Sequence, residues 1–320
     1  PMGLWYVAAA LKEIDIEVSV FDMRKDDIDN LIVDDYLFVG ITMLTGRMIE
    51  NGLQVTERIK ERNSKTPIVV GGVHPSILPK QTLENELIDF VVIGEGEETV
   101  KELALALISN KYDSFSEIKG LGFKKNNRIY INPVREFINM DSLPINLPYD
   151  LLGVDLSKLK ERPLHTSRGC PYRCAFCYNV AINKRKYRAK SPERVIEEIE
   201  YLMSIFPSFN IINLQTEDEF FIDTKRVHKI LTQLVNKNIK IGWFSFIRFD
   251  TLSRINDDFL QLIQDSGVVG LSLGGESGSQ RLLDEVITKD ITVEQILEGT
   301  ERLKKAKITH VASFMCCFPT

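Results

Sequence analysis

The sequence has 320 residues, 44% hydrophobic and 27% charged, with a formal net charge of −5. These totals suit a soluble globular chain of roughly two domains and argue against a nucleic-acid backbone as main partner, which would favour a basic face. No apolar run approaches the roughly 20 residues of a membrane helix and no secretory signal is visible, while clustered cysteines without a regular disulfide spacing suit a reducing, cytoplasmic setting.

The chain opens on Pro1 rather than an initiator Met, as a piece of a longer protein would. Residues 4–11 predict an apolar helix and 17–21 a strand. Residues 36–42 predict a buried strand, 46–62 an amphipathic helix, and 67–70 a strand running into Gly71-Gly72. Another strand is expected over 90–93, then Gly94-Glu95-Gly96-Glu97 and a helix over 97–108. Strands separated by helices imply a doubly wound, parallel, Rossmann-like α/β sheet. Ligands bind such sheets at the carboxyl ends of the strands, here Thr42 to Thr45, Gly71 to His74 and Gly94 to Glu97.

Thr99 stands where a dinucleotide loop beginning Gly94-Glu95-Gly96 would carry its third glycine. Two acids in that loop would also repel a pyrophosphate. Thr42-Met43-Leu44, then 26 residues, then Gly71-Gly72 is similar to the S-x-L…G-G pattern of cobalamin-binding domains. Glycines there let backbone lie close against a large flat or tail-shaped ligand. Taken singly, each glycine pair is also what a tight turn needs; in this order and spacing they favour cobalamin. The resemblance implies contacts from Thr42, Leu44, Thr45, Gly71, Gly72, His74, Gly94, Glu95, Gly96 and Glu97. The D-x-H-x-x-G motif that ligates cobalt in many such domains is not in the sequence; by spacing it would fall at or before Pro1. His74, in a loop beside Gly-Gly, reads as a hydrogen-bonding or packing group rather than a metal ligand.

Residues 118–123 and 129–132 flank Lys124-Lys125-Asn126-Asn127 and predict a β-hairpin. Asp141-Ser142-Leu143-Pro144 and Pro148-Tyr149 suit an extended linker. The expected organisation is a ligand-binding domain over 1–112, hairpin and linker over 113–160, and a second domain over 161–320.

Arg168-Gly169-Cys170-Pro171-Tyr172-Arg173-Cys174-Ala175-Phe176-Cys177 places three of the five cysteines within eight residues, as C-x3-C-x2-C. Thiolates that close suit one metal centre. Three do not complete a tetrahedral zinc, for which His165 would be a fourth ligand. Nor do they fill the corners of a cubane iron–sulfur cluster, and an incomplete set leaves one iron open. This spacing, with an aromatic residue before the third cysteine, resembles the radical S-adenosylmethionine (SAM) superfamily; here that residue is Phe176. The resemblance implies a [4Fe-4S] cluster on Cys170, Cys174 and Cys177, SAM on its open iron, Phe176 against adenine, and His165 as a strand-end residue. Val73-His74-Pro75-Ser76 and Gly94-Glu95-Gly96-Glu97 likewise resemble the cobalamin domain found upstream of radical SAM barrels.

Beyond the cysteines the pattern is a βα repeat. Helices are expected over 188–206, 224–237, 257–265 and 293–307, and strands over 211–214, 240–246, 268–273 and from 310. This suits a partial (β/α) barrel, about one strand short of the six that the resemblance implies, so the chain is expected to be truncated at both ends. Polar residues gather at the strand ends. By resemblance, Glu217 and Asp218 receive the amino group of SAM, and Glu276 faces its ribose hydroxyls. The same resemblance implies that Arg248 meets a carboxylate of SAM or of the substrate. The plainer readings are solvated loop acids, Glu219 among them, and a surface ion pair for Arg248. The last strand runs into Cys316-Cys317-Phe318-Pro319-Thr320, with Cys317 where the family has glycine; Cys316 and Cys317 are expected to be buried free thiols.

The chemistry implied by the resemblance is reductive cleavage of SAM to a 5′-deoxyadenosyl radical that abstracts hydrogen from an unreactive carbon. Cobalamin, held above the barrel mouth, would then hand over a methyl group. An external flavodoxin- or ferredoxin-type electron donor and a small-molecule or natural-product substrate complete the expectation. The alternatives are cyclisation or rearrangement without methyl transfer, and a non-catalytic electron carrier or cobalamin sensor.

Overall fold

The computed structural model describes residues 2–24, 26–27, 36–153, 158 and 160–317. Two units are distinguished: Pro1–Ile138 with Asn146–Val154, and Asn139–Ile145 with Asp155–Thr320. The first contains α1 (Met2–Lys12), β1 (Val39–Thr42), α2 (Arg47–Arg62), β2 (Ile68–Gly71), α3 (Val73–Ile77), α4 (Pro79–Glu84), β3 (Phe90–Val92), α5 (Glu97–Ile108), β4 (Leu121–Lys125) and β5 (Arg128–Ile131).

Its sheet runs in the order β1-β2-β3-β4-β5; the first three strands are parallel, and β4 and β5 add antiparallel to the edge. Successive side chains of a strand point to opposite faces. Val69, Phe90 and Val92 therefore join Leu11, Val100 and Leu103 in one core, whereas Ile68, Val70 and Val91 join Ile59 and Leu83 in the other. Burial on both faces explains why these strands read as continuous apolar runs. The hairpin expected in the joining segment is bonded into this sheet through β3. Its turn uses Asn126 and Asn127 at φ 51° and 59°, a left-handed pair that asparagine tolerates well.

The strand expected over 17–21 is an extended segment without a ladder among the described residues. Its alternation reflects burial alone: Ile16 and Val18 pack on the first core and Phe21 on the second. Similarly, β1 starts at Val39 and not at residue 36.

The second unit contains β6 (Glu161–Pro163), β7 (Ser167–Arg168), α6 (Asn179–Ile182), β8 (Arg188–Ala189), α7 (Pro192–Ile205), β9 (Ile211–Asn213), α8 (Thr224–Asn236), β10 (Gly242–Phe246), α9 (Phe249–Arg254), α10 (Asp257–Asp265), β11 (Val268–Glu276), α11 (Val293–Lys305) and β12 (His310–Phe314). Its sheet order, β6-β9-β10-β11-β12, is parallel throughout and follows the chain, as helical crossovers laid side by side require.

Two expectations fail here. The helix after the cysteines starts at Pro192, not at residue 188, because the Ser191 side chain accepts the Arg194 N–H as an N-cap. Arg188 and Ala189 instead pair with Arg168 and Ser167. Cys316 and Cys317 are exposed rather than buried. They follow β12, which among the described residues pairs with β11 and whose Val311 and Phe314 are also exposed. The predicted turn through Phe318, Pro319 and Thr320 lies outside the described residues, as does Pro1.

Leu103 is fully buried in the first core. Leu103→Ala is expected to lower the stability of the first unit by about 2–5 kcal/mol, read as an earlier transition in denaturant unfolding.

Candidate functional site

The cysteine loop is held by its neighbours. Strands β6 and β9 pair with Pro163 opposite Asn213, so the segments that follow them run side by side. The N–H groups of Thr166 and Ser167 donate to Oε2 of Glu217 at 2.8 and 2.7 Å, with both hydroxyls within 3.1 Å of the same carboxylate. The Gly169 N–H donates to Oδ2 of Asp218 at 2.6 Å, and the Tyr178 hydroxyl to its Oδ1 at 3.0 Å. Gly169 has φ 87°, and a Cβ there would collide with the Lys186 carbonyl oxygen, so only glycine fits. Further along, Arg185 donates to the Pro171 carbonyl, the Ala175 N–H to that of Ile287, and the Thr288 hydroxyl to that of Arg173.

Cys174 is buried and Cys170 and Cys177 are half-buried. Burial pushes the Cys170 thiol up to about 12 and raises that of Cys177. A metal bound to such a thiol displaces its proton and stabilises the thiolate. Cys174 lies within electrostatic reach of both partners. Among the described residues no three His, Cys, Asp or Glu side chains converge on a single ion, the three cysteines of the loop included. A cubane takes one thiolate on each iron, and three separated sulfurs on one loop fit it.

The strand-end residues are brought to this loop, with partners that the sequence did not disclose. Glu217 and Asp218, expected at the SAM amino group, hold the loop backbone. Glu219, passed over as a solvated acid, is buried, and its hydrogen bond is from the Phe221 N–H at 3.2 Å. The signal was the Phe220-Phe221 pair behind it, fully buried, which draws Glu219 inward. Burial pushes Glu217 and Glu219 up to about 7.

Arg248, 5% exposed, donates to Asp250 at 2.8 Å and to the Lys289 carbonyl at 2.5 Å, and its Nη1 lies 3.9 Å from the Cys174 sulfur. It is not a surface ion pair. Glu276 is buried at φ 59° and ion-paired with Lys289, a buried lysine that sequence reasoning missed. Phe176 stands 53% exposed, open to a flat ligand.

In the first unit the three predicted strand-end segments meet. The His74 N–H donates to the Met43 carbonyl, and the Gly94 N–H to the Ser76 hydroxyl at 2.9 Å. Gly72 has φ 101°, and a Cβ there would lie 2.9 Å from the Met43 carbonyl oxygen and the Thr42 hydroxyl. His74 is buried, its Nδ1 3.4 Å from the Thr45 hydroxyl, the hydrogen-bonding role expected of it. Glu95 accepts the Ile138 N–H at 2.8 Å, and Glu97 is buried in the first turn of α5. Leu44, Met48, Ile77 and Leu78 are exposed around these strand ends.

Comparison with known proteins gives a family. A B12 binding domain model matches residues 1–104, and a radical SAM superfamily model matches residues 164–320. An uncharacterized methyltransferase of Pyrococcus horikoshii is 34% identical over 330 residues, covering 100% of this chain and 70% of that protein. An anaerobic magnesium-protoporphyrin IX monomethyl ester cyclase of Cereibacter sphaeroides is 29% identical over 261 residues, 77% of this chain and 41% of that protein. The fold matches the radical SAM methyltransferase TsrM from Kitasatospora setae, solved with cobalamin and a [4Fe-4S] cluster bound, with a TM-score of 0.77 at 18% identity over 98% of this chain and 66% of that one. The chain thus spans less than half of the cyclase and about two thirds of the other two.

Two outcomes are expected. Gly169→Ala adds the collision to backbone strain of about 1–3 kcal/mol; after anaerobic reconstitution it should bind roughly tenfold less iron, measured by metal analysis. For Glu217, the folded state binds its proton more tightly than the unfolded chain, whose carboxyl has its usual value of 4.5. Stability is therefore full below that value and falls as pH rises toward about 7, by on the order of a few kcal/mol. Glu217→Gln should flatten that fall in pH-dependent unfolding.

Proposed function

Because the chain belongs to the cobalamin-dependent radical SAM family, whose cofactors are a [4Fe-4S] cluster, SAM and cobalamin, we propose that it methylates an unactivated carbon of a small-molecule substrate. The observation that carries this reading is the cysteine loop, which protein donors and acceptors fix along its backbone with three thiols on it. When bound, the cluster supplies the electron for SAM cleavage and cobalamin carries the methyl group.

The residues of the chain bind, orient and shield. Cys170, Cys174 and Cys177 would hold the cluster through three of its irons, so that the fourth could take SAM. Glu217 and Asp218 fix the loop that presents them. Among the described residues Glu219 has an oxygen uncommitted to protein donors, which suits the ammonium group of SAM. Phe176 suits the adenine ring, and Glu276, at the end of β11, the ribose side of the site. Phe246 and Phe314, exposed at the ends of β10 and β12, offer apolar surface to a substrate. In the first unit, Leu44, Met48 and Ile77 give an apolar rim for cobalamin over Thr42, Thr45, Gly71, Gly72, Gly94 and Gly96. The electron comes from an external flavodoxin- or ferredoxin-type donor. The support for a second reading, ring closure without methyl transfer, is the weaker likeness to the magnesium-protoporphyrin cyclase, 29% identical over 41% of that protein.

The test is anaerobic reconstitution followed by reduction. About four irons per chain are expected, with an EPR signal that changes on adding SAM, and products that gain a methyl group only when cobalamin is present. Cys174→Ala should abolish the SAM response. One zinc and no response to SAM would sink the proposal; turnover without methyl gain would favour ring closure.

A further inference from the structure

We infer that Arg248 is a positioning residue for the cluster, holding its positive charge against the Cys174 sulfur and raising the cluster's reduction potential, and that it does not receive a carboxylate of SAM or substrate. This inference rests on the cluster reading above. All three guanidinium nitrogens are already engaged: Nε with Asp250 at 2.8 Å, Nη2 with the Lys289 carbonyl at 2.5 Å, and Nη1 with the Cys174 sulfur at 3.9 Å. One face of the guanidinium lies over the Tyr172 ring at 3.4 Å from its centroid. A free carboxylate would have to displace these partners from a side chain that is 5% exposed.

The partners of Arg248 belong to the cysteine loop or brace it. Tyr172 lies within the motif, and its hydroxyl donates to Asp250 Oδ2 at 3.0 Å. Arg254 reaches the same Asp250 oxygen at 3.0 Å and the Tyr172 hydroxyl at 3.3 Å. Arginine suits the place because its planar fork bonds in several directions while its face stacks on an aromatic ring. Reduction adds a negative charge to the cluster, and a cation beside a ligand sulfur stabilises the reduced state more than the oxidised one. Asp250 opposes part of that effect, since its carboxylate carries the opposite charge.

The experiment is a redox titration of the reconstituted protein without SAM, read by the EPR signal of the reduced cluster, alongside equilibrium SAM binding. Arg248→Gln should lower the reduction equilibrium constant about tenfold, which is about 60 mV for one electron, and leave SAM affinity within about twofold. Arg248→Lys keeps the charge and should hold a potential nearer the wild type. Asp250→Asn should shift the potential the other way, upward, and reads the same field if the Arg248 variants lose the cluster. An unchanged potential in Arg248→Gln together with roughly tenfold weaker SAM binding would overturn the inference, as would a potential that does not rise in Asp250→Asn. A wild-type protein that takes up no iron would overturn the cluster reading and this inference together.

Discussion

Three backbone N–H groups, those of Thr166, Ser167 and Gly169, end on two adjacent carboxylates, Glu217 and Asp218. Each such hydrogen bond contributes about 1 kcal/mol, and more is lost when a buried partner is left alone. The dependence is mutual. The carboxylate of Glu217 tolerates burial because the loop supplies donors, and the loop keeps its path because the acids accept them. The parallel pairing of β6 with β9 makes this geometry available, since it sets the residues after one strand beside those after the other. Everything proposed for the cysteines depends on that juxtaposition.

A second set of contacts closes the loop from the other side. Strand β10 lies next to β9 and delivers Arg248, Asp250 and Arg254 toward Tyr172. The segment after residue 287 brings Thr288 to the Arg173 carbonyl, Lys289 to Glu276, and Asp290 to Arg173. Buried charges are costly unless paired. Here they alternate in sign, Arg248 with Asp250 and Lys289 with Glu276, so the surroundings of the sulfurs are charged yet nearly compensated. A site that must pass one electron to a cluster is sensitive to small imbalances in such a set.

Local signals were legible and long-range ones were not. Helices α5 and α10 and strand β12 have the bounds read from periodicity, and α10 begins where Asn256 caps it through the Phe259 N–H. The cysteine spacing and the glycines at strand ends were equally visible, because each is a property of neighbouring residues. What failed needed a partner far along the chain. Lys289 stands 41 residues from Arg248, and nothing in Thr288-Lys289-Asp290 announces that its backbone oxygen will meet a guanidinium. Residues 17–21 alternate as a strand does, yet alternation reports burial and not pairing. Cys316 and Cys317 sit in apolar sequence but beyond the end of β12, and both are exposed.

Gly72 shows why the plain and the functional readings of a glycine need not compete. Its φ of 101° and the 2.9 Å approach a Cβ would make to Thr42 and Met43 are reason enough for glycine at that position. This close contact sets the segment after β2 against the segment after β1, and the His74 N–H then reaches the Met43 carbonyl. With those backbones locked together, Leu44, Met48 and Ile77 point to solvent. Apolar surface left in water forgoes about 25 cal/mol for every Å² not buried. A chain that buries Ile59, Ile68 and Leu83 almost completely does not lack the means to hide such residues. Carboxyl ends of parallel strands are where such sheets take ligands, so the exposure of these side chains is what the proposed cobalamin seat requires, and the glycine that packs the chain would on that proposal also shape the seat.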